Sequence, residues 1–420
     1  MTFSWENWVV ALQGTQESPL LDDGQRASLA WMGKRLPQSG LVLADEVGTG
    51  KTRIACAVVQ AVLKVNGRAA VVVPHGLMHQ WQEEAKKLGM PPAKTFTSVS
   101  DFVEKAKDLI KNEQSKLWDS IAPKPDAPEW LLISHGFRSP QVRQGKKLAE
   151  WRVALPSYVL AQLSSKAART DRRTLVGKLL DDPHKVIKSI SEEIADRFDK
   201  KGREVLRKRL EELPPYRRGG DNKSLAENLQ NGGREVVEKL LGYWLGEFDL
   251  LVIDEAHKSR SEVDDPDDKT TVVSGSLLSR LVDSILRQPQ TGRRLCLTAT
   301  PMELEPSQWL DLLKRARSDL NAVEVKKKKT VKVTIEEFQV ATRDAAIAPD
   351  ESERLAELIN ASKAFEDMLK DFVTRRRRNE DEIIQHFSSR LGQSNGKPHP
   401  HRRSRPLPIG WADGRCPGIC

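Results

Sequence analysis

The sequence predicts an α/β fold in which a parallel sheet is flanked by helices and interrupted by a helical insertion. Five short apolar runs lack the alternation of a half-exposed strand, which is typical of strands buried on both faces. They are Leu41–Ala44, Ala69–Val73, Trp130–Ser134, Asp249–Ile253 and Leu295–Thr298. Helical patterns lie between them, at Thr52–Val65, Leu77–Leu88 and Asp101–Lys111. Because strands alternate with helices, we expect βαβ units and parallel strand pairing.

The insertion is predicted between residues 139 and 245, where no strand pattern occurs. Candidate helices are Gln141–Ala154, Pro183–Leu210 and Leu225–Leu245. The segment holds 23 Lys and Arg against 15 Asp and Glu, which accounts for most of the net charge of +9. A basic excess of this kind favours a polyanionic partner such as DNA. It is equally typical of the solvated face of a helical bundle.

The last hundred residues have weaker patterns. We predict a strand at Thr330–Thr334 and a helix at Glu351–Phe372, within a helical or linker region spanning 321–390. Residues 391–420 are rich in Pro and Arg and are expected to be disordered.

Composition limits the class of protein. The chain has 420 residues, of which 38% are hydrophobic and 30% charged, so it can bury a sizeable core. No apolar run approaches the length of a membrane span, and MTFSWENWVV is not a signal peptide. Four cysteines are too few for a disulfide scaffold. We therefore expect a cytoplasmic protein with no membrane partner, nucleoid-associated in a bacterial host.

The strongest local motif is LVLADEVGTGKTRIA, residues 41–55, in which a buried strand leads into a Gly-rich turn and then a helix. Such a loop can wrap a phosphate with its backbone N–H groups, and the helix N-terminus adds positive potential. Lys51 would then reach the β- and γ-phosphates, and the Thr52 hydroxyl would bind Mg²⁺. The full GxxxxGK[ST] pattern has Gly where this chain has Asp45, so an ordinary loop stays an alternative.

The second motif is FDLLVIDEAHKS, residues 248–259, in which a strand ends at Asp254 and Glu255. Ligands of open α/β sheets bind at the carboxyl ends of the strands. One carboxylate can hold Mg²⁺ while its neighbour orients the attacking water. The alternative is a solvated acidic pair, which the preceding Lys-Thr loop makes less favourable.

Together these motifs resemble superfamily-two helicases and translocases of the Swi/Snf type. Further matches follow in order: LLDDGQRASLAWM (20–32), VVVPHGLMHQW (71–81), LLISHGF (131–137), LCLTATP (295–301) and FVTRRRRNEDEII (372–384). His135 stands where the family usually has Tyr. DEVGTGKT with DEAH is most similar to the bacterial RNA-polymerase-associated (RapA-like) branch. The resemblance implies a RecA-like lobe of the P-loop NTPase class over residues 1–320, interrupted by the insertion.

The resemblance also implies residue roles. ATP would be held by Gln25, Gly48, Thr49, Gly50, Lys51 and Thr52, with Gln25 reading the adenine. Lys51, Asp254 and Glu255 would be catalytic, and Thr52 and Asp254 would bind Mg²⁺. Nucleic-acid contact and coupling would involve Pro74, Ser134, Thr298, Ala299 and Thr300. By contrast, we expect Trp81 to be a packing aromatic rather than a base-stacking one.

The expected activity is DNA-dependent ATP hydrolysis that drives movement on duplex DNA. The family's arginine-finger motif, Q-x-x-G-R-x-x-R, is missing after Thr300, and the chain ends in WADGRCPGIC, as a truncated or frameshifted reading frame would. We therefore expect ATP binding with poor hydrolysis unless a second lobe or a partner protein acts in trans. Two alternatives stay open. One is a hydrolysis-deficient nucleic-acid or protein interaction module, and the other is the motor part of a restriction or anti-phage system.

Overall fold

The computed structural model describes residues 3–98, 102, 122–124, 127–135, 137, 150–163, 184–211, 234–256, 292–298, 306–327, 329–347 and 352–375. Its strands are β1 (Leu41–Leu43), β2 (Ala69–Val73), β3 (Lys94–Phe96), β4 (Trp130–Ser134), β5 (Leu250–Ile253), β6 (Arg293–Leu297) and β7 (Val373–Thr374). Its first four helices are α1 (Trp5–Gln16), α2 (Asp23–Arg35), α3 (Lys51–Lys64) and α4 (Met78–Lys87). A 3₁₀ turn, His75–Leu77, precedes α4.

Within the described ranges, eight further helices follow β4. Four of them lie between β4 and β5: α5 (Glu150–Leu163), α6 (His184–Asp196), α7 (Lys200–Glu211) and α8 (Arg234–Leu245). The other four follow β6: α9 (Pro306–Ala316), α10 (Leu320–Lys327), α11 (Val331–Ile347) and α12 (Ser352–Leu369). None of the helices in the described ranges has the length and apolar character that a membrane crossing requires.

Within the described residues the seven strands form one sheet in the order β3-β4-β2-β5-β6-β1-β7. Every neighbouring pair is parallel, so all strands end at the same edge. The central strands are buried along their whole length, as their unbroken apolar runs predicted. The predicted fold class, an α/β fold with a parallel sheet, flanking helices and a helical insertion, is confirmed.

The sheet separates two hydrophobic cores, because successive side chains of a strand point to opposite faces. In β2, Ala69, Val71 and Val73 pack into the core that contains α1 to α4. Ala70 and Val72 pack into the opposite core, which contains the insertion helices and the helices after β6. The large aromatics Trp8 and Trp81 fill the first core, and Phe96 and Trp244 fill the second.

The insertion helices differ in one respect from the sequence prediction. A single helix over Pro183–Leu210 is wrong, because α6 ends at Asp196 and α7 begins at Lys200. The Asp199 carboxylate accepts a hydrogen bond from the Gly202 N–H at 2.7 Å, which caps the start of α7. Arg197 follows the last residue of α6, and its side chain donates to the carbonyls of Tyr243 and Trp244 at the end of α8.

Other predicted segments fall partly or wholly outside the described residues. The helix predicted at Asp101–Lys111 and the tail 391–420 belong to this group. So do the amino-terminal parts of the helices predicted at Gln141–Ala154 and Leu225–Leu245; the described helices there are α5 and α8.

The strand predicted at Thr330–Thr334 is wrong, because Val331 begins the long helix α11. The Thr330 hydroxyl accepts from the Val333 N–H at 3.2 Å and so caps this helix. Val331, Thr334, Ile335 and Phe338 are buried at helical spacing, and this packing overrides the β propensity of a short branched run. Two strands were not predicted: β3 at one edge of the sheet and β7 at the other.

Candidate nucleotide-binding site

The Gly-rich turn lies between β1 and α3, at the carboxyl edge of the sheet. Gly48 and Gly50 both have left-handed backbone conformations, with φ of +90° and +80°. A Cβ at Gly50 would lie 2.2 Å from Nε2 of Gln25, so a side chain cannot fit there without displacing that amide. Glycine is therefore required for the loop to turn tightly into the N-terminus of α3.

Lys51 places its ammonium group inside this loop. Its Nζ donates to the carbonyl oxygens of Asp45 at 2.6 Å and Glu46 at 2.9 Å. Thr49 Oγ1 donates to the same Glu46 carbonyl at 2.8 Å. The loop thus surrounds a positive charge next to a helix N-terminus, an arrangement that attracts phosphate groups. Asp45, at the position of the missing glycine, is fully buried, and its carbonyl contributes to this arrangement.

Gln25 contacts the loop from α2. Its Nε2 donates to the Thr49 carbonyl at 3.3 Å, and its Oε1 accepts from the Asp22 N–H at 3.2 Å. Asp22 in turn accepts from the Gln25 N–H at 2.6 Å, which completes a capping box. Gln25 is 4% exposed. The structure brings it beside the Gly-rich loop, while its role in reading adenine stays a prediction.

Asp254 follows β5, and both of its carboxylate oxygens accept hydrogen bonds. Trp81 Nε1 donates to Oδ2 at 2.9 Å, and the Glu255 N–H donates to Oδ1 at 2.9 Å. Burial raises the pKa of Asp254 above its ordinary value, and the two donors oppose that rise. Glu255 is half-buried and has a φ of +50°, which is rare for a residue with a side chain. Strained residues of this kind cluster at functional sites.

The order of the strands brings the two motifs to one place. Only β6 separates β5 from β1, so the strands that carry Asp254 and the loop are about 10 Å apart. Thr298 follows β6 between them, and its N–H donates to the Leu43 carbonyl at 3.1 Å. Pro74 and the fully buried Ser134 lie at the same edge, beyond β5. Ala299 and Thr300 lie outside the described residues.

Two residues near the site were not predicted to belong to it. Trp81 is fully buried, as expected of a packing aromatic, but it also binds Asp254 across 173 positions of sequence. Arg375 follows β7, and its guanidinium lies 3.6 Å from the Glu46 carboxylate in the loop. The basic run after Phe372 signals Arg375 in the sequence, whereas no local pattern reveals the partner of Trp81.

The oxygen atoms at this edge suit a magnesium ion that a nucleotide carries. Mg²⁺ usually takes one or two protein oxygens and fills its other positions with phosphate and water. Asp254 supplies a carboxylate, and Thr52 supplies a hydroxyl in the first turn of α3. Across the described ranges, no group of three or more His, Cys, Asp or Glu side chains could hold a metal ion without such a ligand.

Comparisons with known proteins give one family model and solved structures to which parts of this chain are similar. A search of curated proteins finds no match to this chain. Among solved structures, the chain is similar to the SWI2/SNF2 ATPase core of Sulfolobus solfataricus in complex with dsDNA, with 16% identity and a TM-score of 0.37. That match covers 87% of this chain and 46% of the other, so the chain spans slightly less than half of its length. Residues 24–198, which include the Gly-rich loop and Trp81, match the family model of the SNF2-related domain.

Proposed function

We propose that this chain is the ATP-binding lobe of a DNA-dependent ATPase of the Swi/Snf type. The observation that carries the proposal is the meeting, at one edge of a parallel sheet, of the Lys51 loop and the Asp254–Glu255 pair. Ligand binding at this edge is the rule in open α/β sheets. The match of residues 24–198 to the SNF2-related domain supports the same assignment.

The proposed mechanism assigns one task to each group. Lys51 and the N-terminus of α3 bind the β- and γ-phosphates, for which the ammonium exchanges its contacts with the loop carbonyls. Asp254 and Thr52 would hold Mg²⁺, and the bound ion would supply positive charge next to the transferred phosphoryl group. Glu255 lies next to Asp254 at the strand end and orients the attacking water.

The proposed partner is duplex DNA, bound in part by the insertion. Helix α7 (Lys200–Glu211) supports this assignment because Lys200, Lys201 and Lys208 are exposed on it. Exposed lysines bind phosphates without reading sequence. The ends of β2, β4 and β6, with Pro74, Ser134 and Thr298, would link DNA contact to the ATP site.

Efficient hydrolysis in this proposal requires arginines from a second lobe or a partner protein. Arginine fingers are worth about 10³- to 10⁵-fold in phosphoryl transfer. The finer assignment, to the bacterial RNA-polymerase-associated branch, depends on DEVGTGKT and DEAH alone. Co-purification of RNA polymerase with the tagged chain would test it.

The test of the main proposal is Mg-ATP binding and ATP turnover at low salt, with and without duplex DNA. We expect Lys51→Ala to abolish binding, because the loop loses the ammonium group that would bind the β- and γ-phosphates. Lys64→Ala is the matched control, since Lys64 lies at the other end of α3 and contacts Thr15. Absence of nucleotide binding in the parent chain would contradict the proposal. The chain could bind Mg-ATP while duplex DNA fails to stimulate ATP turnover, even after a second lobe is added. This result would favour a non-catalytic interaction module.

A further inference from the structure

We propose that Trp81 is a positioning residue for the magnesium site, because its indole N–H holds the Asp254 carboxylate in the orientation that binds the ion. This inference rests on the proposed function, since it concerns the same Mg-nucleotide site. It adds a residue to which neither the Gly-rich loop nor the strand-end carboxylates point.

The hydrogen bond itself is unambiguous in direction. An indole nitrogen can only donate, so Trp81 Nε1 must supply the proton and Asp254 Oδ2 must accept it, at 2.9 Å. The other oxygen, Oδ1, accepts from the Glu255 N–H at 2.9 Å. Each carboxylate oxygen can accept a second bond. The two donors therefore fix the carboxylate plane and leave the remaining lone pairs for a metal ion.

The indole is itself held by the fold. Trp81 is fully buried on α4, and α4 is joined to α3 at two points. Arg53 Nε contacts the Glu84 carboxylate at 2.9 Å, and Gln60 Nε2 donates to the Leu88 carbonyl at 2.7 Å. Helix α3 begins at Lys51. Helix α4 thus connects the Asp254 carboxylate, through Trp81, to helix α3, which follows the Gly-rich loop.

The chain offers a matched control for this interaction. Trp244 is also fully buried, and its Nε1 donates to the Glu193 carboxylate at 2.8 Å. This second indole–carboxylate pair joins α8 to α6 in the insertion, on the opposite face of the sheet. Removing either indole N–H deletes the same kind of bond, but only Trp81 contacts a residue of the proposed magnesium site.

The test is binding of the fluorescent nucleotide mant-ADP to the full chain, once with Mg²⁺ and once with EDTA. We expect Trp81→Phe to weaken binding in Mg²⁺ by about 10- to 100-fold, the usual effect of losing a partner of a metal ligand. Binding in EDTA should not change, because the Lys51 loop is intact. Trp244→Phe should match the parent chain in both conditions.

A second variant separates the hydrogen bond from packing. Replacing the Trp81 indole with benzothiophene, its sulfur isostere, keeps the ring shape and removes only the N–H donor. It should reproduce the Mg²⁺-specific loss, and it decides the question if Trp81→Phe does not fold. Equal losses in Mg²⁺ and EDTA, or parent-like binding by the benzothiophene variant, would overturn the proposal. If the parent chain binds no mant-ADP in either condition, the proposed function itself fails, and this inference with it.

Discussion

Strand β5 is flanked by two aspartates, the half-buried Asp249 and the buried Asp254, and the two have different surroundings. Asp249 precedes the strand at the amino edge of the sheet and accepts from the Arg68 N–H at 2.8 Å. Asp254 follows the strand at the carboxyl edge and accepts from Trp81 and from the Glu255 N–H. Burial raises the pKa of both carboxyl groups. Residue type, strand and direction of the pKa shift are therefore shared, so the difference between the two sites comes from their partners.

At the amino edge, the side chain of Arg68 contacts several groups of the protein. The Arg68 guanidinium contacts Glu129 at 2.5 Å and the Leu245 carbonyl at 3.0 Å, and it lies 4.3 Å from the centre of the Phe248 ring. The carboxyl edge has a cation of its own, Lys51. Its positive charge opposes the rise that burial causes in the pKa of Asp254, while its ammonium group donates to the loop carbonyls. The charge of the Arg68 guanidinium at the amino edge is thus paired with groups of the protein itself. Charge at the carboxyl edge is arranged around the place where we propose a ligand.

The largest expected effect is on stability at the amino edge. Arg68→Met should lower the free energy of unfolding by about 3–5 kcal/mol. Glu129 loses its closer cation and is left with Lys94 at 3.0 Å, and the Glu247 and Leu245 carbonyls lose the Arg68 guanidinium as a donor. Chemical denaturation measures this change. Lys208→Met removes the exposed pair with Glu204 and should cost less than about 1 kcal/mol. Similar losses in the two variants would show that the amino edge is not a buried ionic network.

At the carboxyl edge, the expected effect is on binding. If Asp254 binds Mg²⁺ as we propose, Asp254→Ala should weaken Mg-nucleotide binding by at least about 100-fold, because the proposed metal ligand is lost. Isothermal titration calorimetry with Mg-ADP measures the change. Arg68→Met, assayed below its melting temperature, is the control, because its contacts are at the opposite edge and its nucleotide affinity should be retained.

The pH dependence of stability should reveal the raised pKa of Asp254. A carboxyl group with a raised folded-state pKa stabilises the protein below its unfolded-state pKa, about 3.9, and this stabilisation is lost as pH rises through the folded-state value. Asp254→Ala removes that loss. The stability of this variant relative to the parent should therefore increase from pH 4 towards pH 7. A constant difference over this range would mean that burial does not raise the pKa of Asp254.

A smaller effect is expected at the turn of the loop. Gly50→Ala places a side chain at φ +80° and against the Gln25 amide, which should cost about 1–2 kcal/mol and weaken nucleotide binding. Gly14→Ala is the contrasting control, since Gly14 is inside α1 and has nothing within 4 Å of its added Cβ. It should stabilise the chain by about 0.5–1 kcal/mol. Thermal melts of the two variants give the sign of each change.

The smallest effect concerns an exposed carboxylate, Asp367, on helix α12. Hydrogen bonds from Lys327 and Lys370 lower the pKa of Asp367 to about 2. The stabilisation that results is present above the ordinary Asp pKa and is lost as pH falls towards 2. Because Asp367 is exposed, Asp367→Asn should cost less than about 1 kcal/mol at pH 7. The difference from the parent should vanish in melts at pH 2, if the chain still folds there.

Local patterns in the sequence determined much of this protein. Unbroken apolar runs predicted the five central strands and their parallel pairing, because a strand covered on both faces has no polar side. The glycines predicted the tight turn between β1 and α3, since only glycine readily adopts the left-handed conformations found at Gly48 and Gly50. That this loop binds phosphate stays a prediction. The Asp254–Glu255 pair was located at a strand end by the same reasoning.

Only the tertiary structure decided what is paired across long separations. β7 is two residues long and joins the sheet through β1, more than 300 positions earlier, so no local pattern predicts it. Thr330–Thr334 has the composition of a strand but packs as a helix, because its neighbours leave room for one apolar stripe at helical spacing. The contacts of Trp81 with Asp254 and of Arg68 with Asp249 likewise depend on the order of the strands. Backbone preferences act over a few residues and can be read from the sequence, whereas these contacts exist only once the sheet has brought distant segments together.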